Sequence, residues 1–362
     1  MSQFFVVEAV SETGASNVCL SNICGIFVVY LWYTRCKVYQ TDGPRTQRRA
    51  NWVVKMPRGL NQFKALELLC LALFSLSSTA KHFVPDQTGT RWQYQLSDRG
   101  TVKFMPGVNT YIIDLDTARE EIPRLKTLDK GIRVICYYSA GTYEKARRKS
   151  DKDRGPYSFD PETYLRSAML EQMADWPDET WLDVTNKRVW YMNKKRMQFA
   201  KEIGCDGVDP DNVDIYTVKG KAGSRKESAA FVRYLTEKAH DLGLGIGLKN
   251  AVELIEDVPD VDWYVNESCV TFGECGKYAS VAAKKAVFAV EYCDAKKHLG
   301  ETTQNPTCAC SKARKHGLNM LIKRVDLDGD RMACDERLFV MVEFGDDCAS
   351  ESANVCSGVF ES

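Results

Sequence analysis

The chain has 362 residues, of which 44% are hydrophobic, and its 49 basic and 49 acidic side chains give a formal net charge of zero. This length can bury one large core or two cores of ordinary size. The balanced charge argues against a nucleic-acid partner, which requires a basic face, and the sequence has neither the P-loop of phosphoryl transfer nor the Gly-rich turn of dinucleotide enzymes.

The first distinctive segment, residues 56–80, has the pattern of a secretory signal. Arg58 and Lys64 precede an apolar run at 65–76, and small residues lead up to Ala80. We therefore interpret residues 1–55 as an upstream extension outside the mature protein and expect a secreted protein without stable membrane association after processing. The alternative is a short buried helix or a membrane anchor, although the apolar run is too short to span a bilayer comfortably.

From residue 91 onward, short β-rich runs alternate with helical patterns. This alternation favours a parallel sheet with helical crossovers, and eight such strands predict a (β/α)8 TIM barrel over residues 91–334 as a single catalytic domain. The polar tail at 335–362 has no assignable fold. The predicted strands are 92–96, 110–115, 133–138, 207–211, 245–249, 263–267, 286–292 and 320–326.

Helix starts between these strands have recognisable signals. Thr117 and Glu120 form a capping-box pattern that predicts a helix through Leu128. Asp160 followed by a proline predicts a second helix start. The run 228–241 predicts a third helix, with Phe231, Tyr234 and Leu235 on one face and Gly243 as its stop.

The connection after the third strand, residues 139–206, is a long insertion that carries Trp176, Trp181 and Trp190. Long loops on the catalytic face of a barrel commonly shape the substrate groove. Each tryptophan can stack on a sugar ring or can anchor the loop by packing, and the sequence leaves both readings open.

Cysteine usage agrees with export, because ten of the 14 cysteines follow Ala80. A bridge between Cys269 and Cys275 is plausible, and Cys136, inside an apolar strand, is interpreted as a buried free thiol. A zinc site is the competing interpretation, although no paired CxxC or histidine cluster accompanies the cysteines. Further bridges are expected among Cys293, Cys308, Cys310 and Cys334.

Charged and polar residues end several of the predicted strands. Asp211 ends the fourth and Glu267 ends the sixth, so in a barrel both lie on one rim. Glycosidic cleavage needs two such carboxyl groups, one to protonate the leaving oxygen and one to attack the sugar or activate water. A lone acid is as often a helix cap or ion-pair partner. Further rim candidates are Tyr137, Tyr138, Ser139, Lys249, Asn250 and Glu291.

At these residues the chain resembles glycoside hydrolase family 114, the endo-α-1,4-polygalactosaminidases. The resemblance implies a secreted TIM barrel that cleaves α-1,4 linkages in galactosamine-rich polysaccharide, with Asp211 and Glu267 as the catalytic pair. Asp209 stands where the family pattern has a glutamate. The matching runs are 92–96, 113–116, 136–141, 176–177, 181–183, 204–214, 247–250, 266–267 and 291–292.

By analogy with other α-retaining barrels, Asp211 is assigned as nucleophile and Glu267 as general acid/base. An acidic pocket would attract a protonated amino-sugar polymer. The residues expected to bind this substrate are Asp114, Asp116, Tyr137, Tyr138, Ser139, Asp209, Asn212, Lys249, Asn250, Glu291 and Trp181.

We expect no cofactor, no metal and a monomeric enzyme. The run 326–330 resembles a calcium loop, but Arg331 stands where an EF-hand needs glycine and no glutamate closes the loop. Two other functions fit the same residues: a glycosidase acting on another α-linked glycan, and a non-catalytic carbohydrate-binding barrel.

Overall fold

The structure is a computed structural model that describes residues 4–9, 36–41, 47–48, 82–97, 101–145, 160–174, 176–218, 223–334 and 356. The chain divides into two compact units, Met1–Ser78 and Thr79–Ser362. In the first unit, Phe4–Ala9, Cys36–Thr41 and Gln47–Arg48 form an antiparallel sheet. The predicted signal segment at 56–80 lies outside the described residues, and so does the tail apart from Cys356.

The second unit is built on a sheet in which eight parallel strands follow one another in chain order. All eight predicted strands are confirmed, with ends that differ from prediction by a few residues. A short antiparallel strand, Met332–Ala333, pairs with the last of them. The parallel strands are β1 Trp92–Gln95, β2 Thr110–Asp114, β3 Arg133–Ser139, β4 Gly207–Asp211, β5 Gly245–Lys249, β6 Trp263–Glu267, β7 Val287–Tyr292 and β8 Asn319–Lys323.

The sheet is curled, so that side chains of its first and last parallel strands meet. The Trp92 indole N–H donates to Asn319 Oδ1 at 3.0 Å, and the Trp92 ring lies 4.8 Å from that of Phe288. An inner apolar cluster joins these residues to side chains of β2, β3 and β6. A second, larger cluster packs the other face of the sheet against the helices.

Three glycines, Gly207, Gly245 and Gly247, make room for Trp263, one of the two inner tryptophans. A Cβ added to Gly207 would lie 2.6 Å from the indole, and one added to Gly247 would lie 2.3 Å from it. Because these glycines of β4 and β5 lie directly against the indole, a larger residue at any of these positions would displace it from the inner cluster.

Long helices cover the outer face of the sheet. They are α1 Leu115–Leu128, α2 Lys187–Ile203, α3 Arg225–Asp241 and α4 Pro306–Lys315. Shorter helices are Pro161–Leu165, Ala279–Ala282 and Ala295–His298, and 3-10 turns occur at Arg166–Ala168, Ile215–Thr217, Val252–Leu254 and Cys275–Tyr278. Within the described part of the chain, no helix combines the length and apolarity needed to cross a bilayer.

Two helices, α1 and α3, begin earlier than predicted, α3 at Arg225 instead of residue 228. The capping box assigned to Thr117 and Glu120 is wrong, because α1 begins two residues earlier and Asp114 Oδ1 caps it by accepting the Asp116 N–H at 2.8 Å. A capping box does open α3, where Ser224 and Glu227 bond each other's backbone N–H groups. The helix starting after Asp160 and the stop at Gly243, where φ is +66°, are confirmed.

The connection between β3 and β4 contains its own small sheet. Thr142–Glu144, Glu179–Leu182 and Met169–Gln172 pair antiparallel, and α2 follows them. The described part of this connection therefore carries regular structure beside the rim of the main sheet.

Disulfides join both neighbouring and distant parts of the chain. The free thiol assigned to Cys136 is wrong: Cys136 in β3 is bonded to Cys205, just before β4. The Cys269–Cys275 bridge is confirmed. Of the four cysteines expected to pair among themselves, only Cys310 and Cys334 do so; Cys293 pairs with Cys356 of the tail, and Cys308 is also disulfide-bonded. Bonded cysteines leave no thiolate for zinc.

Candidate active site

Two carboxylates share one buried lysine at the carboxyl ends of three neighbouring strands. Lys249 Nζ, at the end of β5, lies 2.9 Å from Asp211 Oδ2 at the end of β4 and 2.9 Å from Glu267 Oε2 at the end of β6. The lysine side chain is only 2% exposed, whereas those of Asp211 and Glu267 are 14% and 21% exposed. Strand order alone explains the meeting, since β4, β5 and β6 are adjacent and parallel.

Lys249 remains charged despite its burial. Burial acts to lower the lysine pKa, but the adjacent Asp211 and Glu267 carboxylates outweigh it, and the net effect raises the pKa well above its ordinary value. The ammonium therefore offsets part of the repulsion between two acids that face each other in a poorly solvated place.

Each carboxylate also accepts a hydrogen bond from a tyrosine hydroxyl. Tyr137 donates its hydroxyl to Asp211 Oδ2 at 2.9 Å, and Tyr292 donates to Glu267 Oε1. Burial, followed by the charge of the neighbouring carboxylate, raises the pKa of both phenols well above the ordinary value. Both tyrosines thus keep their protons and act as donors that hold the acids in place.

Unusual backbone conformations follow the strand ends. Asn212 and Asn250 have φ of +57° and +55°, a left-handed region that asparagine tolerates. This turn lets Asn250 bond Glu267 twice, accepting its backbone N–H at 2.8 Å and donating Nδ2 to Oε2 at 3.2 Å. Gly141 approaches so closely that an added Cβ would lie 1.7 Å from the Asn212 carbonyl oxygen. Only glycine fits there.

The two carboxylates, Asp211 and Glu267, are called the dyad below, and they line a large acidic cleft of about 1660 Å³. Lys249 is the only cationic side chain among the described residues that line it. Fourteen carboxylates line it: Asp114, Asp116, Glu120, Glu121, Glu144, Asp178, Glu179, Asp211, Asp214, Glu253, Glu267, Glu274, Glu301 and Asp326. Such a cleft attracts cationic ligands and repels anionic ones.

The carboxyl groups of this rim differ in environment. Asp114 is buried and caps α1, while Asp116 is exposed to the cleft. Burial, followed by the charge of Asp211, raises the pKa of Asp214 to about 6. The cleft therefore gains negative charge as the pH rises toward neutrality.

Three residues predicted to bind substrate lie behind the cleft wall. Asp209 is fully buried with neither carboxyl oxygen hydrogen-bonded, and burial above all raises its pKa to about 7. Glu291 accepts bonds from Val270 N and from the Thr271 backbone and hydroxyl, and its pKa is also raised to about 7 by burial. Ser139 accepts the Asn212 side-chain amide at 2.9 Å and so orients the residue after Asp211.

Two predicted contacts are not part of the cleft lining. Tyr138 belongs to the outer apolar cluster, because it follows Tyr137 in a strand whose side chains alternate between faces. Trp181 is buried in the small sheet. The cleft instead contains Trp176 and Phe272, which are 49% and 60% exposed. Phe272 was missed; as an apolar residue between Cys269 and Cys275 it offered a weak signal.

Two basic side chains just before the calcium-like loop at 326–330 contact its aspartates. Lys323 at the end of β8 donates to the carbonyl oxygens of Asp328 and Asp330, and Arg324 pairs with both of their carboxylates at 2.6 and 2.9 Å. Burial lowers the pKa of Lys323 to about 7. Lys323 and Arg324 therefore already engage Asp328 and Asp330 of this loop.

A curled parallel sheet with paired acids at its carboxyl-terminal rim is the arrangement expected of a glycoside hydrolase. The profile of glycoside-hydrolase family GH114 matches residues 75–339, and the chain belongs to that family. No curated protein matches the chain at the level of sequence.

Among solved structures, the chain is similar to Aspergillus fumigatus Ega3 in complex with galactosamine, at 31% identity and a TM-score of 0.57 over 70% of this chain and 99% of that one. It is also similar to the glycoside hydrolase domain of a PelA variant from Pseudomonas aeruginosa, at 13% identity and a TM-score of 0.50 over 68% and 98% of the two chains. The second likeness concerns the fold alone.

Proposed function

We propose that this chain is a secreted endo-glycosidase that hydrolyses α-1,4 linkages in galactosamine-rich polysaccharide, with Asp211 as nucleophile and Glu267 as general acid/base. The single observation that carries the proposal is the pair of carboxylates bridged by Lys249 at the floor of an acidic cleft. We further propose that the sheet closes as a (β/α)8 barrel, supported by the side-chain contacts between β1 and β8.

The separation of the two acids favours a retaining reaction. Because Lys249 Nζ lies 2.9 Å from one oxygen of each carboxylate, those two oxygens are at most about 5.8 Å apart. Retaining enzymes place their carboxyl groups about 5–5.5 Å apart, whereas inverting enzymes need about 6.5–9.5 Å to admit a water molecule. For these two lysine-bound oxygens the upper bound falls below the inverting range, and this supports the proposal of retention.

The chemistry then proceeds in two displacements. Asp211 attacks the anomeric carbon while Glu267 gives its proton to the departing glycosidic oxygen, forming a glycosyl-enzyme ester. Glu267, now ionised, takes a proton from water, whose oxygen attacks the same carbon and releases Asp211. Asp211 Oδ2 is occupied by Lys249 and Tyr137, whereas Oδ1 accepts only the adjacent Asn212 N–H, which makes Oδ1 the attacking oxygen.

Cleft charge supports an amino-sugar substrate. Unacetylated galactosamine units carry ammonium groups near neutral pH, and fourteen carboxylates against one cation would concentrate such a chain along the cleft. The cleft volume exceeds that of ordinary small-ligand pockets, about 300–1,000 Å³, as an endo-acting enzyme requires. The galactosamine in the Ega3 complex agrees with this chemistry.

Export is supported by the bonded cysteines, since disulfides persist in oxidising compartments. We propose that residues 56–80 are removed and that the mature chain begins near Lys81. The N-terminal residue of the exported protein, read by mass spectrometry, tests this proposal; a start before residue 56 would contradict it.

The decisive experiment is product analysis on defined galactosaminan oligosaccharides, deacetylated and fully acetylated. We expect faster cleavage of the deacetylated substrate and an initial α-anomeric product by NMR. Asp211→Asn and Glu267→Gln should each lose at least about a thousandfold in kcat, with unchanged folding by circular dichroism. Turnover retained in both variants would refute the dyad, equal rates on the two substrates would refute the charge argument, and an initial β-anomer would refute retention.

A further inference from the structure

The amino-terminal end of the sheet carries a second cluster of ionisable side chains, away from the strand ends that hold the dyad. Asp262 directly precedes β6, His240 lies in the last turn of α3, and His82 belongs to the segment before β1. We propose that these three side chains form a binding site for a divalent transition metal of the zinc class.

The three side chains converge as metal ligands do. His82 Nε2 lies 2.9 Å from Asp262 Oδ1, and His240 Nε2 lies 2.9 Å from Asp262 Oδ2. The two imidazoles are stacked with centroids 3.9 Å apart and planes within 9° of each other. One nitrogen from each ring and one carboxylate oxygen all lie within 4.8 Å of one another.

These spacings are near those of zinc coordination. Zinc binds imidazole nitrogen at about 2.0–2.1 Å and carboxylate oxygen at about 2.0–2.2 Å, so tetrahedral ligands lie about 3.3 Å apart. The donor separations therefore need to change by a few tenths of an ångström to about 1.5 Å, and one imidazole must tilt out of the stack so that both nitrogen lone pairs point to one ion. Without metal each Nε2–H can donate to the carboxylate; on binding, each ligating Nε2 is deprotonated and the imidazole carries its proton on Nδ1.

Burial also suits a metal site with an open position. The Asp262 side chain is 8% exposed and its Oδ2 is fixed by the Ile246 N–H at 2.9 Å, so one ligand is preorganised. The two histidines are 26% and 28% exposed, which leaves a path for the ion and room for water ligands. The nearby cation, Lys285, donates to the carbonyl oxygens of Pro259 and Val261 rather than to Asp262.

The consequence is structural rather than catalytic. The three ligands come from three separate parts of the chain, so a bound ion would fasten the segment before β1 to a helix and to the base of the sheet. Metal that binds the folded state alone stabilises it, by about 2.7 kcal/mol at a hundredfold excess over Kd, equivalent to a rise in Tm of about 5 °C for a domain of this size.

The test uses the exported protein as it is secreted. Bound metal is removed with a chelator, and the protein is titrated with Zn²⁺ alone by calorimetry. We expect one Zn²⁺ per chain, the Tm rise given above, and a tetrahedral visible spectrum with Co²⁺ as substitute. His82→Gln, His240→Gln and Asp262→Asn should each weaken binding at least tenfold, whereas His316→Gln, a histidine outside the cluster, should bind as the parent does.

Two outcomes would overturn the site: no stoichiometric Zn²⁺ binding by the parent, or binding that survives all three substitutions. If Asp262→Asn does not fold, because its carboxylate also holds the Ile246 backbone, His82→Gln decides the matter, since His82 lies outside the sheet and helices. Glycosidase activity should be unchanged in His82→Gln, so this test stands apart from the assignment of the dyad.

Discussion

Replacing Lys249 by methionine keeps the length of the side chain and removes its charge. The two carboxylates it bridges are then left facing each other at no more than about 5.8 Å. At an effective dielectric constant of about 20, two unit charges at that separation repel by about 3 kcal/mol, which equals about two pH units. The lost ammonium lies 2.9 Å from each carboxylate, so the attraction removed from each is at least as large as this repulsion.

In Lys249→Met the lost attraction to the ammonium disfavours ionisation of the first carboxyl, and the repulsion, no longer offset, disfavours ionisation of the second. Because the reaction needs one ionised and one protonated carboxyl, the lost ammonium should move the acidic limb of the pH profile of kcat/KM up by about two pH units or more, and the basic limb should move up with it. A profile measured from about pH 4 to about pH 9 tests this expectation.

The matched control is Lys323→Met, which removes another buried lysine of the same rim that pairs with backbone carbonyls instead of the dyad. That variant should lose stability without moving the acidic limb. An unmoved limb in Lys249→Met, or an equal movement in both variants, would refute the role given to Lys249.

Three further predictions concern the buried Asp209, the cleft residue Trp176 and the Cys136–Cys205 disulfide. Asp209 holds its proton up to about pH 7 in the folded state but only to about its ordinary 3.8 when unfolded, so wild-type stability falls as pH rises between those values. In Asp209→Asn the free energy of unfolding, measured with urea, should fall by about 4 kcal/mol less over this pH range. An unchanged dependence of that free energy on pH would contradict the burial argument. Trp176→Ala should raise KM about fivefold to tenfold with little change in kcat, if its ring stacks on sugar, and Tyr191→Ala, an exposed aromatic outside the cleft, should not. Replacing Cys136 and Cys205 by alanine should cost about 4 kcal/mol in urea unfolding, because the bridge closes a 69-residue separation; a loss below about 1 kcal/mol would be inconsistent with this.

Local pattern was enough to locate the strands and their polar ends. The eight β-rich runs and their order predict that the ends of β4, β5 and β6 are neighbours, and Asp211, Lys249 and Glu267 do meet there. Helix starts were less predictable, because Asp114, the last residue of a strand, is also the cap of α1. A single residue with two roles leaves no separate capping signal.

What the sequence determined by itself is therefore the succession of strands and helices and the residues at each strand end, since both follow from side-chain period and local turn chemistry. Tertiary structure alone decided the rest. Which of Tyr137 and Tyr138 faces the dyad depends on how the strand register meets the inner core, and the Cys136–Cys205 and Cys293–Cys356 pairs depend on distances between remote segments. The burial that keeps Lys249 between two acids, and Asp209 without a partner, is likewise a property of packing, because desolvation depends on every neighbour a group has in space and not on its neighbours in the chain.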